Sequence, residues 1–294
     1  MPAIPASLLR CPVCTGALSQ QDRALVCDRG HRFDAARQGY VNLLTGRGSS
    51  FEGDDARMVD AREEFLASGH YAPLRDAVVS AVQRHRPDAS VVLDAGAGTG
   101  YYLRGVVDAA PDTFPVAIDV SKPALRRAAR RIPEGIGLVW DIWRPLPLTT
   151  GSVDVLLNVF APRNTDEFLR VLSPDGCVVV VTPRPGHLAE LASIGPLLSV
   201  PAQKADDVAA SFSATLIEAE RRELDHVMHL PEHLARSALV MGPAARHSAV
   251  AGGRHPGGTD DDPPELEVSA RFTIQVLTTA GDTKADNPGD GTEV

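Results

Sequence analysis

The sequence predicts an α/β protein built on a doubly wound, mostly parallel sheet, with a small separate module at its N-terminus. Three observations carry this. The runs VVLDAG (91–96), FPVAID (114–119), IGLVWD (136–141), VDVLLNVF (153–160) and GCVVVVTP (176–183) are short, apolar and closed by turn or acidic residues. Stretches between them, such as 122–131 and 164–172, have the texture of helices, and strands alternating with helices wind into a parallel sheet. Finally, three of the four cysteines fall within residues 11–27, which sets that region apart.

The first element in order is the cysteine cluster. Cys11-Pro-Val-Cys14 is followed by Cys27 and His31, the spacing C-x2-C-x12-C-x3-H. A C-x2-C pair on a tight turn aims two thiolates at one ion, and a hairpin through 15–26 brings up the second pair. Four good ligands predict a closed, structural zinc site at Cys11, Cys14, Cys27 and His31. So short a unit has too little core to fold alone, so the ion supplies much of its stability. Cys177, inside CVVVV, reads as a core thiol.

The next stretch, TGRGSSFEGDDAR (45–57), is glycine-rich and polar and reads as a linker. Residues 58–86 show helical periodicity, broken near GHYAP. Beyond His187 the pattern is helical and mixed, with strands expected near 223–230 and 267–278; 251–264 and 280–294 read as loose. The predicted domains are therefore 1–44, a zinc-binding module; 45–86, linker and helices; 87–280, the α/β domain; and 281–294, a disordered tail.

Composition agrees with a folded, cytoplasmic protein. The 294 residues are 44% hydrophobic and 23% charged. The sequence has no apolar run of about eighteen residues to span a membrane, and MPAIPASLLR lacks the pattern of a secretory signal. The net charge of −9 disfavours nucleic-acid binding, but the charge is uneven: residues 1–50 hold six arginines against three aspartates. A basic N-terminal module on an acidic body permits RNA contact through that module.

The second chemical signature is Leu93-Asp94-Ala95-Gly96-Ala97-Gly98-Thr99-Gly100, a strand end followed by a glycine turn and a helix. Such a turn lets backbone pass close to a nucleoside or amino acid. Asp119 ends the next strand, placed to accept ribose hydroxyls, and Asp141 follows the third strand as an acceptor for an adenine amino group. Asn158 and Phe160 place a polar group and a ring at the carboxyl edge of the fourth. This pattern alone leaves both dinucleotide and S-adenosylmethionine cofactors open.

The stretches LLRCPVC, CDRGHRFDAARQGYVNLL, GHYAPLRDAV, VLDAGAGTGYYL, IDVSKPALRRAARR, NVFAPRN, VTPRPGHLAEL and ALVMGPAARH resemble the bacterial 23S rRNA (guanine-N1)-methyltransferases, and NVFAPRN is closest to the tylosin- and mycinamicin-type macrolide-resistance members. The resemblance implies a Rossmann-like class I methyltransferase fold, S-adenosylmethionine and Zn2+ as cofactors, 23S rRNA as partner, macrolide resistance as role and a homodimer as assembly. It implies cofactor contacts from Tyr71, Gly98, Thr99 and His187, adding to Asp94, Gly96, Asp119 and Asp141. Asn158 stands at the family position that holds the base edge, with Phe160 as a platform for the base. Arg10, Arg23, Arg29, Arg32 and Arg37 form the expected RNA-reading surface of the zinc module, whereas the basic run Lys122, Arg126, Arg127, Arg130 and Arg131 reads as a solvated helix face. Two alternatives are weaker. A small-molecule methyltransferase leaves the arginine-rich zinc module without purpose. A non-catalytic rRNA-binding factor leaves the intact Asp94, Gly96, Gly98 and Asp119 set without purpose.

Overall fold

The computed structural model describes residues 1–46, 49, 51–242, 244 and 265–279. The segments expected to be loose, 251–264 and 280–294, lie outside the described residues. No helix among the described residues is long and apolar enough to cross a membrane.

The N-terminal unit is a three-stranded antiparallel ribbon, β1 (Leu18–Gln21), β2 (Ala24–Cys27) and β3 (Arg32–Asp34). It is followed by β4 (Val41–Asn42), which leaves the ribbon and pairs in parallel with a strand of the main sheet. The predicted boundary at residue 44 is therefore bridged by hydrogen bonds. Leu9 also bridges Leu148, and the Arg10 N–H donates to the Pro147 carbonyl. Ribbon residues Leu25 and Phe33 share one buried cluster with Leu138, Ile142 and Leu148.

Two helices follow, α1 (Ala56–Ala67) and α2 (Ala72–His85). Asp55 caps α1 by accepting from the Met58 N–H at 2.8 Å, and Gly69 takes φ +84° at the expected break. The segment before α1, expected to be a linker, packs against the sheet. The Ser49 hydroxyl donates to Asp141, and the Ser121 hydroxyl donates to the Asp54 carbonyl.

The main domain then alternates. It comprises β5 (Val91–Ala95), α3 (Tyr101–Ala109), β6 (Phe114–Asp119), α4 (Lys122–Arg131), β7 (Ile136–Val139), β8 (Val153–Val159), α5 (Thr165–Val171) and β9 (Leu172–Pro183). These are followed by α6 (Lys204–Phe212), β10 (Ile217–Leu230), α7 (Glu232–Val240) and β11 (Leu266–Thr278). The strand order is β10-β11-β9-β8-β5-β6-β7-β4. Strands β4 to β9 run parallel, and β11 is antiparallel to both β9 and β10. Every residue of β5 is buried, as expected where helices cover both faces of a parallel sheet.

The chain winds outward from β5 to β6 and β7, then returns to place β8 on the other side of β5. The resulting crevice at the carboxyl ends of β5 and β8 is where ligands bind in such sheets. At the opposite end, Asp154 accepts from the Ser90 and Val91 N–H groups at 2.9 and 3.0 Å and from the Ser173 hydroxyl. This acid holds the start of β5 and serves structure. Asp154→Ala is expected to cost about 1–3 kcal/mol by leaving donors unpaired. The cost should appear in chemical denaturation, with affinity for a ligand in the crevice unchanged.

Candidate functional site

The predicted metal ligands converge. One ligand atom from each of Cys11, Cys14, Cys27 and His31 lies within 4.8 Å of all the others. The Cys14 and Cys27 sulfurs are 3.7 Å apart, and His31 Nδ1 lies 3.3 Å from Cys27 Sγ and 3.6 Å from Cys11 Sγ. A tetrahedral zinc with ordinary bond lengths sets sulfur–sulfur edges near ~3.8 Å and sulfur–nitrogen edges near ~3.6 Å. All three cysteines are free thiols. The donor set therefore fits one zinc ion, with His31 offering Nδ1. Of the nearby arginines, Arg10 and Arg23 brace carbonyls of the ribbon itself, and Arg32 pairs with Asp34. Arg29 and Arg37 are exposed and make no side-chain bond among the described residues.

The second site is a cleft at the crevice, lined by Tyr71, Asp94, Gly96, Gly98, Thr99 and Phe160 among others. Gly96, Gly98 and Gly100 take φ of +90°, +52° and +74°, conformations that favour glycine. A Cβ on Gly96 would stand 2.3 Å from the Ala161 Cβ, so the loops after β5 and β8 touch there. Asp119 accepts from the Gly98 N–H with Oδ2 and from the Ser121 N–H with Oδ1, each at 2.8 Å. Each oxygen keeps a lone pair for a further donor.

Asp94 lies at the floor, 1% exposed, and its Oδ1 has no partner among the described residues. Burial, reinforced by the charge of Asp119, pushes its carboxyl up to about 8. A buried acid left unsatisfied where it lines a cleft marks a place where a cationic ligand group would compensate it.

Tyr71 lines the side wall, and His187 packs against it. His187 Nδ1 accepts from the Arg271 N–H at 3.1 Å, which leaves the proton on Nε2, 3.3 Å from the Tyr71 hydroxyl. The imidazole donates to the phenol oxygen, and the phenol O–H stays available as a donor. Burial, with the charge of His226 next, lowers His187 to about 4, so the ring is neutral at pH 7. Phe160 closes the mouth. Its φ is +54° and it is 39% exposed, with its ring 5.6 Å from Phe272 and 6.4 Å from Tyr71, Tyr102 and His187.

Four predicted residues, Asp119, His187, Asn158 and Asp141, sit apart from the cleft lining. Asn158 is wholly buried, and its amide donates to the Ala95 and Pro162 carbonyls at 3.1 and 2.9 Å. It therefore ties the two loops together beneath the site instead of facing it. Asp141 follows β7, with Oδ1 on the Trp143 N–H and Oδ2 on the Ser49 hydroxyl at 2.6 Å. The sequence reading missed Arg62, Leu66, Tyr101, Tyr102 and Met241 of the lining, and Phe272, whose ring backs Phe160. Tyr101 and Tyr102 alone carried a signal, because they stand in the first helical turn after the glycine loop. On α4, Arg127 and Arg131 pair with Asp60 and Glu63 of α1, while Lys122, Arg126 and Arg130 are exposed.

Known proteins match this arrangement. Residues 9–46 match the family described as RlmA, N-terminal, and residues 92–176 match a methyltransferase domain. A Micromonospora griseorubida protein, provisionally named a 23S rRNA (guanine-N1)-methyltransferase, is 48% identical over 83% of this chain and 88% of its own length. The 23S rRNA (guanine(748)-N1)-methyltransferase of Streptomyces fradiae is 41% identical over 81% of this chain and 86% of its own. Among solved structures, a chain from the complex of the Haloferax volcanii Trm112 methyltransferase activator with a methyltransferase superposes with a TM-score of 0.51. It covers 78% of this chain and 99% of its own at 17% identity, a likeness of fold alone. Zinc and S-adenosylmethionine are the cofactors these matches and the two sites indicate.

Two measurements follow from these sites. Native protein should contain one zinc per chain by elemental analysis. Cys27→Ser should lose the metal and make the segment 9–46 the first point of proteolysis, and a metal-free wild type would remove the metal centre. For Asp94, the folded state holds its proton more tightly than the unfolded chain does, so stability falls as pH rises from about 4 to about 8. Asp94→Asn should flatten that decline and raise Tm at pH 8, while weakening S-adenosylmethionine binding in titration calorimetry by at least tenfold. A variant with unchanged affinity would take Asp94 out of the ligand site.

Proposed function

The chain belongs to the family of 23S rRNA (guanine-N1)-methyltransferases, and from that premise we propose that it methylates guanine N1 in a 23S rRNA hairpin loop, as a cytoplasmic enzyme protecting the ribosome from macrolides. The observation that carries the reading is Phe160, a ring held half-exposed in left-handed backbone at the mouth of a cleft with a buried acid at its floor. Such a conformation costs about 1–3 kcal/mol for a bulky residue and persists where function uses it.

S-adenosylmethionine, when bound, supplies a methyl group on a positively charged sulfur, so binding and alignment are what the chain must provide. In this reading Asp94 complements positive charge at the floor, and Gly96, Gly98 and Thr99 offer close backbone approach. Asp119, already fixed by two backbone donors, accepts from the ribose hydroxyls. Asp141 takes the adenine amino group in exchange for the Ser49 hydroxyl. Tyr71, oriented by neutral His187, donates its phenol proton within the cleft.

Guanine N1 is paired inside a duplex, so the base must leave its stack to react. Phe160, backed by Tyr102, His187 and Phe272, is the surface on which it rests. Asn158 acts as a positioning residue through the loop that carries Phe160. The zinc module presents Arg29 and Arg37 to RNA, and two copies of the chain would let two such modules frame one groove. Guanine 748, for which the Streptomyces fradiae relative is named, is the first target to examine.

Incubation with S-adenosylmethionine and naked 23S rRNA should yield a strong reverse-transcription stop at one hairpin guanine. A transcript without a stop would overturn the reading. Phe160→Ala should raise KM for the RNA by roughly tenfold or more, the value of one lost base stack. Phe160→Tyr should restore it, with S-adenosylmethionine affinity unchanged in both.

A further inference from the structure

Among the described residues, Arg163 and Lys204 stand at the carboxyl edge of the sheet without an acidic partner. Arg163 follows β8 in the loop that touches Gly96 through Ala161. Its guanidinium meets only the Asn158 side-chain oxygen at 3.4 Å and the Ala161 carbonyl at 3.5 Å. Lys204 opens α6 and makes no side-chain bond or ion pair among the described residues. Both are partly buried. The nearest acids in sequence to Arg163 do not serve it, because Glu167 is committed to Arg170 and to the Leu146 N–H, and Asp166 pairs with neither cation. Elsewhere in this chain partly buried arginines find carboxylates, as Arg104 finds Asp108 and Glu134 and Arg170 finds Glu167.

Burial pulls Arg163 below its ordinary value. Burial, and then the positive charge of Arg163, does the same to Lys204. Geometry places them together: Gln275 donates to the Ala205 carbonyl at 2.9 Å, and Gln275, Val180 and Asn158 stand in register across β11, β9 and β8, so the start of α6 with Lys204 is held at the same rung of the sheet as Asn158, which Arg163 contacts. Desolvating like charges together is costly unless an anion completes the set. The loop between Ile142 and Arg144 adds an exposed ring, Trp143, 52% exposed, and is tied to the Arg163 loop by the Asn164 amide on the Ile142 carbonyl at 2.8 Å. The site thus offers two unpaired cations one loop away from Phe160.

Resting on the RNA-methyltransferase reading above, we propose that Arg163 and Lys204 form a clamp for a phosphodiester of the RNA substrate next to the displaced guanine. The clamp fixes the backbone on one side while Phe160 receives the base. Its contacts carry no sequence information, so it positions RNA that other contacts select.

The test uses full-length protein and a hairpin oligonucleotide of the 23S sequence that the wild type methylates. Arg163→Ala combined with Lys204→Ala should weaken RNA binding on the order of tenfold and reduce the slope of log affinity against log salt by about 0.7 for each cation removed. S-adenosylmethionine affinity should stay unchanged. Lys204→Ala alone, at the first residue of α6, should show about half the change in slope with an unaltered melting temperature. Replacing the phosphates flanking the target guanine by neutral methylphosphonates should weaken wild-type binding and add nothing to the double variant. Unchanged RNA affinity and slope in both variants overturns the clamp while leaving the methyltransferase reading intact. A loss of S-adenosylmethionine affinity with RNA affinity preserved also overturns it, by assigning the two cations to the cofactor carboxylate. A wild type that leaves the hairpin unmethylated defeats the functional reading itself, and the clamp with it.

Discussion

The contact between Gly96 and Ala161 sets the dimensions of the whole site. Two loops, leaving the ends of adjacent parallel strands β5 and β8, meet where a single Cβ would not fit. Asn158 closes the same joint from below, its one amide group bonded to Ala95 on one side and Pro162 on the other. Everything the cleft does depends on that spacing. The glycine loop runs flat against the crevice, and the chain after β8 has no room to continue straight. Phe160, one residue before Ala161, absorbs the turn with φ +54° and so aims its ring across the mouth. Strain at Phe160 and absence of a side chain at Gly96 are two consequences of one steric constraint.

Two acids on neighbouring strands show how burial separates structure from chemistry. Asp154, at the start of β8, is surrounded by donors and costs the fold nothing unmet. Asp94, at the end of β5, is more deeply buried and has an oxygen with no donor. An unpaired buried carboxylate is tolerated only where something else repays it, and the cleft above it is the one place where a cationic group can enter. The same reasoning separates Arg170, neutralised by Glu167, from Arg163, which has no such partner among the described residues.

Much of this was legible in the sequence because the informative features are local. The zinc ligands lie within twenty-one residues, and the glycine loop with Asp94 within seven, so spacing alone constrains geometry. Five of the six parallel strands were legible because strands buried on both faces read as continuous apolar runs. The first half of β10 was not, because IEAERREL on an edge strand carries no alternation and is held by its pairing with β11. Strand β4 has only two residues and forms through β7. Arg62, Met241 and Phe272 reach the cleft from distant parts of the chain, and nothing in their neighbours signals it. Tyr71 and His187 were found through family resemblance; their mutual hydrogen bond, 116 residues apart in sequence, is a product of the fold.

The attachment of the zinc ribbon bears on how an RNA could be measured out. A ribbon on a slack tether would add affinity without fixing distance. Here β4 is hydrogen-bonded to the main sheet, Leu9 bridges Leu148, and ribbon and sheet side chains lie in one buried cluster. Moving the ribbon would break strand pairing and expose core, so its exposed Arg29 and Arg37 stand at a set separation from Phe160. If Arg29 and Arg37 contact RNA as proposed, a rigid separation would convert non-specific phosphate contacts into a ruler, because only an RNA whose backbone spans that gap could satisfy the ribbon and deliver a base to the cleft together. Selectivity for one hairpin guanine then needs few contacts to base edges, since RNA shape does much of the selecting. The ion matters in the same way. By ordering a ribbon too small to order itself, zinc fixes one end of the ruler while the sheet fixes the other.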